Sequence, residues 1–193
     1  METLNPFKDG TPFHPALVHV PIGAAMFVPL LAFLFIVAIQ KKWLTPKIWW
    51  VVVIAQLVAV LGGIMSYNSG EFAKDMVVGV VPDSPVEEHE KLAQYFMIGL
   101  SISTVISLAA AFVKAEKAAL GLRVLTLLLS LGVMAVSAKA GHAGGRLIYI
   151  HYAGDAYGPR SEGDTSFCDD QNGDKKDGDK KGDKKDDKDD DDK

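Results

Sequence analysis

The chain has 193 residues, a hydrophobic content of 49% and a formal net charge of −4. Its apolar residues fall in four long runs without charges, which excludes a soluble globular core and indicates an integral membrane protein. The single cysteine, Cys168, excludes an intramolecular disulfide, a cysteine-rich zinc site and the CxxCH motif that attaches c-type haem.

The apolar runs predict an all-α domain built as a bundle of four transmembrane helices. Each run is close to the length of about 20 residues that crosses the hydrocarbon of a bilayer. Trp49 and Trp50 open the second run, where interfacial aromatic residues commonly anchor a span. The predicted spans cover residues 16–39, 48–67, 92–113 and 122–140, within a membrane domain of residues 1–158.

The connections between the runs differ in charge and therefore predict the orientation. The two short connections carry Lys41, Lys42, Lys47, Lys114, Lys117 and Arg123 against Glu116 alone. Because positive residues favour the cytoplasmic side, we expect a multi-pass protein of a bacterial inner membrane with both termini outside. The third connection, residues 68–91, is acid-rich and predicts a loop with a helical start near Pro85.

The segment after the membrane domain, residues 159–193, consists mainly of glycine, aspartate and lysine. Such a composition offers almost no apolar surface to bury, which predicts a disordered acidic tail. Asp170, Asn172 and Asp174 alternate as in a calcium loop, but Lys175 replaces the turn glycine. A solvated tail is therefore favoured over cation binding.

All five histidines fall at the outward end of the predicted bundle: His14, His19, His89, His142 and His151. Imidazole is the commonest transition-metal ligand and also binds haem iron, which predicts a haem or metal site at that end. A rise of about 1.5 Å per residue places His19 and His142 deeper than the other three. Because a polar ring is costly against lipid, we expect these two to point into the bundle and to bind the cofactor most directly.

Two further side chains near that end have alternative roles. Arg146 can pair with haem propionates or serve as an anchor at the membrane surface. Met65 can be a thioether ligand, although methionine in a membrane helix more often serves packing.

Two segments and one isolated histidine resemble the marks of a known family. The segments are HPALVHVPIGAA at residues 14–25 and GHAGGRLIYIHYAGDAYG at residues 141–158, and the histidine is His89. They resemble a group of predicted bacterial membrane proteins, formally a domain of unknown function, with an opening HPxxVHxP and a closing GxxGGxLVYxHGxG. The resemblance covers about residues 12–158. This chain differs from the family pattern at Tyr152, where the family often has glycine, and in its acidic tail.

The resemblance implies that all five histidines belong to one site. Some members are joined to cytochrome c or Rieske modules, which favours a redox role by association. The favoured function is one-electron transfer by non-covalently bound haem b, in a subunit that exchanges electrons with quinol or a periplasmic carrier. Alternatives are a copper or zinc binding or transport module and a cofactor-free membrane anchor or assembly subunit. The sequence contains no hydrolase motif and no surface for nucleic acid, and it leaves enzymatic activity open.

Overall fold

The computed structural model describes residues 13–77 and 79–157. Five α-helices follow one another along the chain: α1 (Phe13–Leu17), α2 (His19–Gln40), α3 (Trp50–Val77), α4 (Asp83–Phe112) and α5 (Glu116–Tyr149). Short 3-10 helices precede α3 (Pro46–Trp49) and follow α5 (Ala153–Tyr157). The predicted acidic tail lies outside the described residues.

Four helical segments are long and apolar enough to cross a membrane, which confirms the predicted all-α, four-span architecture. They are Phe13–Gln40, Pro46–Val77, Asp83–Phe112 and Glu116–Tyr149. The first span comprises α1 and α2, and the others correspond to α3 with its preceding 3-10 helix, α4 and α5.

The loop predicted over residues 68–91 was too long, because most of this acid-rich segment is helical, whereas the predicted helical start near Pro85 agrees with a helix that begins at Asp83. The helix α3 continues to Val77, and α4 begins at Asp83 directly after Pro82. Pro82 has the extended conformation of a residue that precedes a helix, and the acid of Asp83 interacts favourably with the positive end of the helix dipole. The polar ends of both helices therefore extend the helical hydrogen bonding beyond the apolar runs.

The four spans run alternately up and down, and each packs against the two spans beside it in a closed ring. Among the described residues, the backbones of the first and third spans are not in contact, so these two spans lie diagonally opposite in the ring. We call the end that holds the start of α1, the α3–α4 connection and the end of α5 the histidine end. The opposite end, which holds the α2–α3 and α4–α5 connections, is called the basic end.

The bundle consists of two equivalent helical hairpins. The five buried residues of α2 recur 75 positions later as buried residues of α4. Five of the seven buried residues of α3 recur 74 positions later in α5. In α2 and α4 the corresponding pairs are Pro21 and Phe96, Ala25 and Leu100, Val28 and Ser103, Pro29 and Thr104, and Ala32 and Ser107. The hairpins share their buried positions but not their amino acids, so simple sequence comparison does not expose the repeat.

Polar side chains lie in the interior of the bundle among apolar ones, whereas the outer surface carries large apolar side chains. Among the described residues, ten polar or charged and sixteen hydrophobic residues are buried, and large apolar side chains such as Phe27 and Leu128 are more than half exposed. Lipid gives no hydrophobic drive for helices to associate, so small and hydroxyl-bearing residues supply close packing and hydrogen bonds instead. One such bond joins α3 to α4 at mid-depth, where Gln56 Nε2 donates to Ser103 Oγ at 2.7 Å.

We expect Ser103→Ala to destabilise the bundle because the buried amide of Gln56 loses its acceptor. Hydrogen bonds between transmembrane helices contribute about 0.6 kcal/mol on average and up to about 1.7 kcal/mol. The matched control is Ser101→Ala, because Ser101 is exposed on the same helix. Unfolding of the helical circular dichroism signal in detergent measures both variants, and an equal effect of the two substitutions would contradict the role given to Ser103.

Candidate functional site

Two imidazole rings from diagonally opposite spans come together at the histidine end. The ring centroids of His14, on α1, and His89, on α4, lie 6.3 Å apart, and their planes are nearly perpendicular at 84°. Both residues are half-buried. They are separated by the same 75 positions as the equivalent buried residues of the first and third spans, so they occupy corresponding places in the two hairpins.

Each ring is oriented by a backbone carbonyl of the neighbouring span. His14 Nδ1 donates to the carbonyl oxygen of Ser66 on α3, and His89 Nδ1 donates to that of Ala140 on α5, both at 3.0 Å. A carbonyl oxygen only accepts, so Nδ1 carries the hydrogen and the neutral ring keeps its lone pair on Nε2. Ligand histidines typically have this arrangement, in which the outer nitrogen donates to a carbonyl and the inner one binds the metal.

A hydroxyl group supports the His14 ring in addition. Ser69 Oγ lies 3.0 Å from His14 Nδ1 and donates to the same Ser66 carbonyl at 2.8 Å. The corresponding residue of the second hairpin is Ala143, which is buried but has no hydroxyl. The two imidazoles are therefore equivalent in place and in their carbonyl partner, but only His14 has a side-chain partner.

Two glycines make room for the rings because they have no side chain. A Cβ built on Gly70 would lie 3.0 Å from Cε1 of His14, and one built on Gly144 would lie 3.1 Å from Cε1 of His89. Gly70 and Gly144 each follow the carbonyl partner of the ring by four residues, one helical turn further along. The adjacent Gly145 has open space around its Cβ position. Glycine is therefore needed for close ring packing at two of these three positions.

Two ion pairs hold the start of α4 on either side of His89. Lys74 Nζ on α3 lies 2.7 Å from Glu90 Oε2, and Arg146 Nη1 on α5 lies 3.9 Å from Glu88 Oε2. The side chain of Arg146 is 45% exposed, so it keeps donors free for another anion. Both cations thus pair with residues that precede or follow His89 in the chain.

The expectation that His19 and His142 point into the bundle was wrong. Both residues are exposed, and His19 Nδ1 donates to the Pro15 carbonyl of its own helical turn at 2.6 Å. At 3.6 residues per turn, a position five residues from an inward-facing one is rotated about 140° around the helix. His19 stands in that relation to His14, and His142 stands in it to the buried Ser137. Depth alone could not show which way either ring points.

His151 and Met65 take no part in the imidazole pair. His151 follows α5, and its Nε2 is buried without a hydrogen-bond partner among the described residues. Met65 is 58% exposed on the outer surface of α3. In the part of the chain that the structure describes, no three histidine, cysteine or acidic side chains form a group that could hold a metal ion.

The sequence did not identify the partners that orient the two rings. Ser66, Ser69 and Gly70 were absent from the candidate residues. Ala140 accepts the hydrogen bond through its backbone carbonyl, a group that every residue has and that a sequence therefore does not single out. The available signal in the sequence was the separation of about 75 residues between corresponding positions of the two hairpins. If His14 packs against Gly70, this separation predicts that His89 packs against Gly144.

We expect Gly144→Ala to disturb His89 and Gly145→Ala to leave it unchanged. The new methyl group at position 144 lies against the imidazole, whereas the one at position 145 meets open space. Nitrogen chemical shifts of the labelled imidazoles report the hydrogen bond of each Nδ1. A shift confined to His89 in Gly144→Ala supports the packing described, and the same shift in Gly145→Ala contradicts it.

Comparison with known proteins identifies the family. Neither the curated proteins nor the solved structures contain a significant match to the chain. A family model described as "Predicted membrane protein (DUF2231)" matches residues 10–156, which include all four spans and the five histidines. The chain therefore belongs to this family of predicted membrane proteins.

Proposed function

We propose that the protein binds haem b between His14 and His89 and carries single electrons at the histidine end of the membrane. The observation that supports this most is the paired orientation of the rings. Each Nδ1 is engaged by a backbone carbonyl, which leaves the Nε2 atom of each ring available as a ligand.

The separation of the rings agrees with ligation of a single metal. A metal–nitrogen bond of about 2 Å, with the nitrogen about 1 Å from its ring centre, places two opposed imidazole centres about 6 Å apart. The centroids of His14 and His89 lie 6.3 Å apart. The separation of the two rings is therefore compatible with both of them binding one iron.

The number of ligands favours haem over a bare metal ion. Porphyrin supplies four nitrogens, so haem iron needs only one or two protein ligands. Protein zinc sites take three or four side chains. Among the described residues, two imidazoles converge and no larger group of ligands does.

Haem supplies reversible one-electron chemistry when it is bound, and the protein residues hold and orient it. His14 and His89 would hold the haem iron, with their rings kept in place by the carbonyls of Ser66 and Ala140. Arg146 and Lys74, which pair with the neighbours of His89 in the chain, would offer positive charge to propionates. His19 and His142, which the sequence grouped with the ligands, are exposed and take outer positions, and His151 follows α5 outside the imidazole pair.

The place of the pair at one end of the bundle favours exchange with a partner at the membrane surface. We infer that this end faces the periplasm, because the lysine-rich connections lie at the other end and favour the cytoplasm. Quinol in the bilayer or a soluble carrier can supply the electron, and further membrane subunits can accept it. The protein then serves as a redox subunit of the bacterial inner membrane.

Absorption spectroscopy of the purified protein tests the proposal. We expect a Soret band that shifts on reduction with dithionite, with one haem per chain. His14→Ala and His89→Ala should each lower bound haem by about tenfold or more, since loss of even an outer-shell partner costs about 10–100-fold in metal sites. His19→Ala and His142→Ala are the matched controls and should retain the pigment.

Other outcomes would contradict haem binding and separate the alternatives. A colourless protein from haem-replete cells that contains stoichiometric copper or zinc would favour a metal-binding or transport module. A protein with neither metal nor pigment would favour a cofactor-free anchor or assembly subunit. Equal loss of pigment in all four histidine variants would refute the special role of His14 and His89.

A further inference from the structure

The basic end of the bundle contains a buried cation that has no anionic partner. Arg123, near the start of α5, is only 6% exposed, and its Nε is buried without a hydrogen-bond partner. None of the ion pairs or hydrogen bonds of the described residues involves it. An unpaired charge inside a membrane protein is costly, so such a residue usually marks a functional site.

Arg123 lies in a built cluster rather than alone. Its guanidinium carbon lies 5.6 Å from the ring centroid of Trp49, which is fully buried and donates from Nε1 to the Ser107 carbonyl at 3.1 Å. The hydroxyl of Ser107 is also buried and unpartnered. Trp49 therefore supports one face of the guanidinium, and two polar groups beside the indole lack a partner.

The two hairpins carry different residues at the corresponding positions of this cluster. Trp49 and Arg123 are separated by 74 residues and occupy corresponding places in the two hairpins, as do Ala32 and Ser107 with a separation of 75 residues. At the histidine end the corresponding residues are identical imidazoles, whereas at the basic end one hairpin carries an aromatic ring and the other a charge. The charge of Arg123 is therefore not required by the architecture that both hairpins share.

The depth of Arg123 matches the boundary between hydrocarbon and headgroups. The 34 residues of α5 span about 51 Å, against about 30 Å of hydrocarbon, so about 10 Å of helix projects at each end of a centred span. Arg123 lies seven residues after Glu116, which is about 10 Å along the helix. Phosphate groups of lipids lie close to this level.

The surrounding charge favours an anion. Exposed lysines flank the cluster at positions 41, 42, 47, 114 and 117, and Glu116 is the one acid among the described residues of that end. Guanidinium presents a planar fork of donors that matches the oxygens of phosphate, and an unpartnered hydroxyl can donate a further bond.

We propose that Arg123, Trp49 and Ser107 form a binding site for a phosphate group at the basic end of the bundle. Arg123 supplies the charge and paired donors, Ser107 supplies a hydroxyl, and Trp49 fixes the plane of the guanidinium. The phosphate belongs either to the headgroup of an anionic phospholipid or to a small soluble phosphate. The site is separate from the imidazole pair and does not depend on haem binding.

Ligand-dependent stability of the full chain in detergent tests the site, because a ligand that binds the folded state raises the melting temperature. Phosphatidylglycerol and inorganic phosphate are titrated separately, and native mass spectrometry counts the lipid that remains bound. Saturable stabilisation by phosphatidylglycerol identifies a lipid headgroup, and stabilisation by inorganic phosphate identifies a soluble ligand. If neither ligand stabilises or binds the wild-type protein, the proposal is overturned.

Substitutions decide whether Arg123 is responsible. We expect Arg123→Gln to weaken binding by about tenfold or more and Arg123→Lys to weaken it less, because lysine keeps the charge without the fork. Lys117→Gln removes a charge from the same end and should change binding less than about twofold, as expected of a screened surface charge. Equal losses of binding in Arg123→Gln and Lys117→Gln would mean that binding depends on general surface charge, and this would refute the site.

Folding of the variants is checked independently. Helical circular dichroism of every variant should match that of the wild type. If Arg123→Gln fails to fold, the comparison of Arg123→Lys with the wild type still decides, since unchanged binding after loss of the fork contradicts the proposal.

Discussion

The requirement that polar groups find partners inside the bundle governs this structure. A bilayer offers no hydrogen bonds, so a buried donor must be satisfied within the protein or by a bound ligand. Gln56, Ser103 and the two Nδ1 groups satisfy this requirement across helix boundaries, and they thereby fix the register of neighbouring spans. The apolar surface keeps the helices in lipid. The polar contacts between the helices determine which faces pack together.

Repetition of a helical hairpin explains how one chain presents two matched imidazoles. In each hairpin, the ring of one of the histidines packs against a glycine of the second helix. Packing of two such hairpins with the same orientation brings His14 and His89 to one place. The pair therefore follows from how the hairpins associate, and each ring keeps the support of its own hairpin through Gly70 or Gly144.

The two hairpins carry different residues at the two ends of the bundle. At the histidine end the corresponding residues are both histidines, and their ring centroids lie 6.3 Å apart. At the basic end the corresponding residues are Trp49 and Arg123, which interact as ring and cation. The two ends of the bundle therefore present different side chains near the two membrane surfaces.

The sequence by itself determined the spans, the charge difference between the two ends and the grouping of five histidines at one of them, because length, hydropathy and loop charge are local properties. It did not determine which rings meet. Counting residues gives depth along a helix but not the direction around it, so His19 was assigned inward although it lies about 140° from His14. Only the tertiary structure selected His14 and His89, because the choice depends on which carbonyls and glycines the neighbouring helices bring opposite each ring.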